Sequence, residues 1–342
     1  MALDFNMTKK ILIIANYKPG TGGISGQVEK LHNCLDAEGV ENEIFSVKGS
    51  PLYRLKAFFR LKKIGKSYDV FHIHTCSEGG FLSAVMGITI GRRLKKNIVL
   101  TYHGGGAEKF FAHHTRFVRG FLTKTDSNIV LSGFLGKVFD KYQLPYVTIP
   151  NIIELDKNLF KQRNQLTPNF ISVRSLEPLY NIECILKAFA KVKTQMPSAK
   201  LTVVGGGSQR ETLEHFVNEQ HIADVTFTGR VDNSQIYNYL AEADIMLSAP
   251  RIDNMPVSLL EAFNAGLLVI SSNVGGVPYM IEDGKSGLLF ESDNHEQLAE
   301  KMLFAIENQE LSKQMIAKAN NSLSFYTWQN VKEKLFALYN SK

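Results

Sequence analysis

The chain has 342 residues, which is enough for two ordinary domains and long for one. Its 44% hydrophobic and 21% charged residues, with 26 glycines and 10 prolines, exclude a disordered, fibrous or collagen-like chain. A formal net charge of +6 points to a polyanionic partner without choosing between nucleic acid and an anionic membrane.

From the N-terminus, Lys9-Lys10 precede the apolar run Ile11–Ala15, which meets Asn16 and Lys18 at once. That is strand length, with no export signal behind it. The longest apolar stretch, Phe81 to Ile90, is half of what a spanning helix needs, so a cytoplasmic protein is expected, soluble or peripheral on the inner face of the membrane. Further strands are expected at Glu43–Val47, Val70–His74, Ile98–Tyr102, Ile129–Ser132 and Tyr146–Ile149. In the second half they fall at Phe170–Val173, Lys200–Val204, Val225–Thr228, Ile245–Ala249, Leu268–Ser271 and Gly287–Phe290. Between them lie segments of helical period such as Cys184–Lys193, Gln209–His221 and Pro256–Ala265, with a last one at Trp328–Tyr339. Strands alternating with helices imply an α/β protein of two Rossmann-like, doubly wound parallel-sheet domains facing a cleft.

The polar stretch 151–169 is the expected linker. It gives an N-terminal acceptor domain at 1–155, a donor domain at 156–325, and a C-terminal helix at 326–342 packing back on the N-terminal domain. The charge divides unevenly: residues 1–150 carry +10 and residues 151–342 carry −4. Cys34, Cys76 and Cys184 have no metal-ligand or disulfide spacing and read as reduced thiols.

The first strand is followed by Gly20-Thr21-Gly22-Gly23-Ile24-Ser25-Gly26. A nicotinamide site needs glycine where Ser25 stands and an acid at the end of the second strand, where the chain reads Phe45-Ser46-Val47-Lys48. A second glycine run, Gly205-Gly206-Gly207, has Arg210 where the third glycine belongs. A dehydrogenase is therefore excluded. Gly22 and Gly23 still allow a close backbone approach to phosphate or sugar, and a plain tight turn explains them equally well.

The most informative stretch is 249–290. Pro256 suits the first position of a helix and Gly266 its end, so free N–H groups near Val257 and Ser258 face the carboxyl edge of the sheet. Asp253 and Glu261 flank that anion-binding end. A ligand bearing both phosphate and hydroxyls accounts for both features, since carboxylates accept from diols.

This segment resembles the E-x7-E signature of the family 4 retaining glycosyltransferases, which have the two-domain GT-B fold. The resemblance extends over nearly the whole chain: Ile11–Gly23, Asp69-Val70-Phe71-His72-Ile73-His74, Thr101-Tyr102-His103-Gly104, Ile149-Pro150-Asn151, Val203–Gly207, Phe227–Val231, Gly275-Gly276-Val277-Pro278 and Asp283–Gly287 all match in order. By resemblance, Glu261 binds the ribose of a nucleotide sugar, most simply a UDP-sugar, and Asp253 binds hydroxyls of the transferred sugar. Asn254, Met255, Pro256, Val257 and Ser258 offer backbone to sugar and phosphate. Arg174 neutralises the diphosphate, Gly206, Arg230 and Val231 lie at the nucleotide, and His103 reaches the donor sugar. No Asp-x-Asp pair occurs in the sequence, which agrees with the metal-independent type, and no cofactor beyond the donor is expected.

The chain departs from the family pattern in four places. Aspartate stands at 253 where glutamate is usual, Asn254-Met255-Pro256 replaces a glycine-rich loop, no lysine follows Arg174 within 175–181, and Tyr279 stands where an acid is common. Arg251 and Arg230 are the available substitutes for that lysine. Plainer roles exist for several residues: a helix cap for Asp253, a surface ion pair for Arg174, a structural turn for His103, and core positions for His72 and His74. His113-His114 lack metal-ligand company.

On the acceptor side, Arg54–Lys66 holds six basic residues and no acid, interleaved with Leu55, Phe58, Phe59 and Leu61. Residues 109–124 repeat the mixture with four phenylalanines. Both read as faces for an anionic membrane, the second equally as a helix with a buried aromatic side. No nucleic-acid recognition motif is present. The expected enzyme transfers a hexose-type sugar to a glycan or lipid-linked acceptor. A GT-B sugar-nucleotide epimerase or phosphorylase, and a nucleotide-sugar-binding protein with little turnover, stay open.

Overall fold

The computed structural model describes residues 9–156 and 159–342, so residues 157–158 of the expected linker and residues 1–8 lie outside the description. The chain divides into two compact units, one formed by Met1–Glu154 with Phe325–Lys342 and the other by Leu155–Ser324.

The N-terminal unit holds a six-stranded parallel sheet in the order β2-β1-β3-β4-β5-β6. Its strands are β1 (Ile11–Ala15), β2 (Asn42–Ser46), β3 (Val70–Thr75), β4 (Asn97–Tyr102), β5 (Ser127–Val130) and β6 (Val147–Thr148). Alternation along β1 sets the layers. Leu12 and Ile14 join one core with helices α2 (Pro51–Ile64), α3 (Leu82–Arg93), α4 (Ala107–His113), α5 (Thr115–Leu122) and α6 (Gly133–Lys141). Ile11, Ile13 and Ala15 join the other, against α1 (Ile24–Ala37).

Most strands fall within a residue of expectation at each end, and β5 and β6 depart furthest. Ser132 caps α6 instead of extending β5, and β6 is an edge strand of two residues held only opposite Ile129 and Val130. Pro145 and Pro150 flank it and bring no N–H to lengthen the ladder.

The C-terminal unit holds the second six-stranded parallel sheet, in the order β12-β11-β10-β7-β8-β9. Its strands are β7 (Asn169–Val173), β8 (Lys200–Val204), β9 (Val225–Gly229), β10 (Ile245–Ser248), β11 (Leu268–Ser272) and β12 (Leu288–Phe290). The connecting helices are α7 (Ile182–Gln195), α8 (Arg210–Glu219), α9 (Ile236–Glu242), α10 (Val257–Asn264), α11 (His295–Glu307) and α12 (Gln309–Ser322). Buried Arg163 ties the start of this unit together, pairing with Asp244 at 2.9 Å and donating to the carbonyls of Ala265 and Gly266.

The last helix, α13 (Trp328–Tyr339), lies on the N-terminal sheet beside α1. Tyr339 is fully buried there and its hydroxyl meets His72 Nδ1 at 2.7 Å, while Trp328 Nε1 donates to Glu38 at 2.8 Å. All three cysteines are free thiols.

Candidate functional site

Strand order locates the crevice in each unit. In the C-terminal sheet the direction of winding reverses between β7 and β10, and ligands of open α/β sheets bind beyond the carboxyl ends of the strands at such a point. Arg174 follows β7 directly and Asp253 lies five residues beyond β10. The two meet at 2.6 Å, with side chains only 12% and 18% exposed. The guanidinium carbon also lies 4.9 Å from the centre of the Tyr180 ring. Asp253 Oδ1 accepts from the backbone N–H of Asn254 at 2.7 Å.

Glycines brace both residues through the backbone. A Cβ on Gly205 would sit 1.9 Å from the Arg174 carbonyl oxygen, and one on Gly275 1.9 Å from that of Asp253. Both glycines have positive φ, and the Gly276 N–H donates to the Asp253 carbonyl at 2.9 Å. The run Gly205–Gly207 therefore holds the Arg174–Leu176 turn, with Leu176 N–H bonded to Gly206 O at 3.1 Å. Of these residues Gly206 carries a site role in the sequence reading, whereas Tyr180, Gly205 and Gly275 carry none. The glycine run after a strand was the available signal, but its partners lie about 30 and 20 residues away in the chain.

Asn254, Met255 and Pro256 are buried and lead into α10, which starts at Val257. Pro256 thus occupies the capping position and not the first helical one. Its φ of −66° suits that place, and its missing N–H leaves no bond unmade within the helix. Ser258 Oγ in the first turn is buried and makes no hydrogen bond among the described residues. Glu261 is half-buried one turn further on. Arg230 is exposed next to Gly206, its backbone N 3.6 Å from where a Cβ would stand on that glycine, and Val231 follows it. Arg251 does not join this group: its guanidinium pairs with Asp293 at 2.8 Å and reaches Pro178 O and Asn181.

In the N-terminal sheet the winding reverses between β1 and β3. Gly22 and Gly23 lie in the loop after β1. Gly23 has φ +64°, and a Cβ placed on it would meet nothing within 4 Å, so its conformation, not crowding, calls for glycine. Glu29 closes this loop, accepting from Tyr17 Oη at 2.8 Å and Gly20 N at 3.1 Å.

His103 belongs to this unit, just after β4, and His72 and His74 on β3 lie beside it. His74 Nδ1 and His103 Nε2 are 2.8 Å apart, and His72 Nε2 lies 2.8 Å from Thr101 Oγ1. Burial holds all three imidazoles neutral, lowering His72 to about 3 and His103 to about 4, and His74 well below its ordinary value. His72 and His74 are thus hydrogen-bonded core residues. His113 and His114 are exposed, and no set of three or more His, Cys, Asp or Glu among the described residues is arranged to hold a metal.

The two basic segments differ from one another. Along α2, Leu52, Leu55 and Phe59 are exposed while Ala57 and Leu61 face the core. Residues 109–124 break into α4 and α5, with Phe110 and Phe111 buried, so this stretch is chiefly an aromatic core face with Phe117 left exposed. No helix among the described residues is long and apolar enough to cross a membrane.

Known proteins match both units. The family described as Glycosyltransferase Family 4 matches residues 25–157, and Glycosyl transferases group 1 matches residues 156–322. The N-acetyl-alpha-D-glucosaminyl L-malate synthase of Bacillus anthracis is 25% identical over 320 residues, 89% of this chain and 83% of that protein. The alpha-monoglucosyldiacylglycerol synthase of Streptococcus pneumoniae is 28% identical over 334 residues, 82% of this chain and 74% of that protein. Among solved structures, Anabaena HepE in complex with UDP-glucose aligns with a TM-score of 0.79 at 16% identity, covering 98% of this chain and 100% of that one. The sucrose-phosphate synthase of Thermosynechococcus elongatus aligns at 0.80 with 19% identity, covering 97% and 98%. These structural likenesses show a shared GT-B fold of two Rossmann-like domains.

Proposed function

The chain belongs to glycosyltransferase family 4 and is a glycosyltransferase; from that premise we propose a retaining, metal-independent enzyme that moves a hexose-type sugar from a UDP-sugar to a glycan or lipid-linked acceptor. The reading places it at the inner face of the membrane, in the synthesis of cell-surface polysaccharide or glycolipid. The observation that carries it is the Arg174–Asp253 pair, fixed by glycine-braced loops at the point where the C-terminal sheet reverses its winding.

The chemistry follows from that pair. A diphosphate competes with Asp253 for the guanidinium, and its arrival frees the carboxylate to accept hydroxyls of the transferred sugar. Arg174 and the N–H groups at the start of α10 then face the charge that grows on the leaving diphosphate, which lowers the barrier to transfer. Glu261 takes the ribose, and Arg230 with Val231 lies at the nucleotide end. With Arg251 committed to Asp293, exposed Arg230 is the second cation of this reading. His103 keeps the donor-sugar contact that resemblance assigns to it.

The N-terminal unit takes the acceptor. Its α2, with Leu52, Leu55 and Phe59 exposed among Lys56, Arg60, Lys62 and Lys63, supports contact with an anionic bilayer. Proton NMR of the product tests the transfer reading: an anomeric configuration equal to that of the donor is expected. An inverted product rules out retention, and release of UDP with free or epimerised sugar and no acceptor product replaces transfer by hydrolysis or epimerisation.

A further inference from the structure

The N-terminal unit holds a pocket of about 260 Å³ at the carboxyl end of β3 that no role above uses. Phe81, Leu82, Val85, Phe110 and Phe117 wall it, and Glu78 and His114 stand at its mouth. The walls interlock: the Phe81 ring lies 5.4 Å from that of Phe110 and 5.7 Å from that of Phe117. Such walls cannot satisfy the hydroxyls of a sugar ring, whereas a hydrocarbon chain has none to satisfy. The volume is below the roughly 300–1,000 Å³ of sites that enclose a whole small ligand, so it fits one part of a larger molecule.

The surroundings identify that molecule. Lys109 and Arg116 are exposed on α4 and α5, which supply two of the walls, and α5 contains no acid. The same helical layer continues through α3, which contacts both α5 and α2, to the exposed apolar and basic side of α2. That layer complements an anionic bilayer in charge and in apolar character. At the mouth the sign reverses. Glu78 is the one acid among the lining residues, exposed and held at φ 55°, and a carboxylate accepts hydroxyls and repels phosphate.

The geometry points to a site for one hydrocarbon chain of a neutral, hydroxyl-bearing lipid drawn from an anionic bilayer, its head held at Glu78 and His114. This rests on the glycosyltransferase reading and narrows its acceptor to a membrane lipid with an unphosphorylated head.

The test is photolabelling of the full chain in mixed detergent micelles, which removes any need for bilayer binding. The probes are a diacylglycerol and a phosphatidic acid carrying the same diazirine-tagged acyl chain. Labelling by the diacylglycerol is expected on peptides spanning 78–85 and 110–117, with phosphatidic acid weaker. Val85→Trp, which fills the pocket, should cut labelling roughly tenfold while the shift in melting temperature with UDP is kept. Phe117→Asp at the rim gives the same readout if Val85→Trp folds poorly. Glu78→Gln should raise labelling by phosphatidic acid. Undiminished labelling in both pocket variants, or label confined to α2, overturns the site. Equal labelling by the two lipids that Glu78→Gln leaves unchanged overturns the choice of head. Loss of the UDP shift in the wild-type chain with labelling intact defeats the donor reading and leaves this site standing.

Discussion

The two sheets place different chemistry at the same topological feature. Where the C-terminal winding reverses, a cation and a carboxylate are pinned by loops whose glycines admit no side chain. Where the N-terminal winding reverses, the glycine loop is open and three imidazoles, those of buried His72 and His74 and of half-buried His103, stay neutral. The first edge carries fixed charged groups. The second is built to stay uncharged, with its basic residues outside on α2, α4 and α5. The uneven division of charge, +10 before residue 151 and −4 after it, is therefore a surface property of the N-terminal unit and not a property of its crevice.

Substitutions at the glycines should separate the two edges most widely. Gly205→Ala forces a Cβ into the Arg174 carbonyl at a positive φ and should cost roughly 4 kcal/mol or more, at the exceptional end for single changes. Gly23→Ala meets nothing and carries only the backbone penalty of φ 64° with ψ −131°, about 1–3 kcal/mol. Denaturant melts of both variants check the ranking, and equal losses would erase the contrast.

Arg174→Ala comes next. It leaves a largely buried Asp253 without its partner, at a cost of roughly 3 kcal/mol to the C-terminal unit. Adding Asp253→Asn should recover part of that loss, since it removes the uncompensated charge.

Acid should act on the other edge. The histidines are held below their ordinary pKa by burial, so the neutral forms stabilise the fold. That stability is complete above about pH 6.5 and is lost as pH falls toward the folded values near 4 and 3. Hydrogen exchange between about pH 6.5 and 4.5 should show β3 and β4 opening before β7 and β10. Simultaneous opening contradicts the contrast.

The smallest effect belongs to the exposed face of α2. Lys62→Glu, Lys63→Glu and Lys66→Glu together should change stability by less than about 1 kcal/mol and abolish flotation with anionic liposomes. Unaltered flotation removes α2 as the contact.

Much of this was legible in the sequence. Apolar runs mark all twelve strands, most plainly the inner ones such as β1, β3, β4, β10 and β11, which are buried on both faces, and Pro256 and Gly266 bracket α10 to within a residue. Strand order was not legible, since parallel crossovers of similar length serve either sheet. The pairing of Arg174 with Asp253, 79 residues apart, depends on that order, as does the diversion of Arg251 to Asp293. Residues 109–124 show a third kind of limit. A mixture of phenylalanine and basic residues does not say which ring turns inward, and only the break between α4 and α5 puts Phe111 in the core and leaves Phe117 outside.

The central claim is that the C-terminal crevice holds a nucleotide sugar through Arg174 and Glu261. It is tested most directly by the shift in melting temperature that UDP and UDP-sugars produce in the wild type and in Arg174→Ala and Glu261→Ala, each measured against its own ligand-free melt. A clear shift in the wild type that falls by most of its size in both variants is the predicted result. A shift that persists undiminished in both would contradict the assignment.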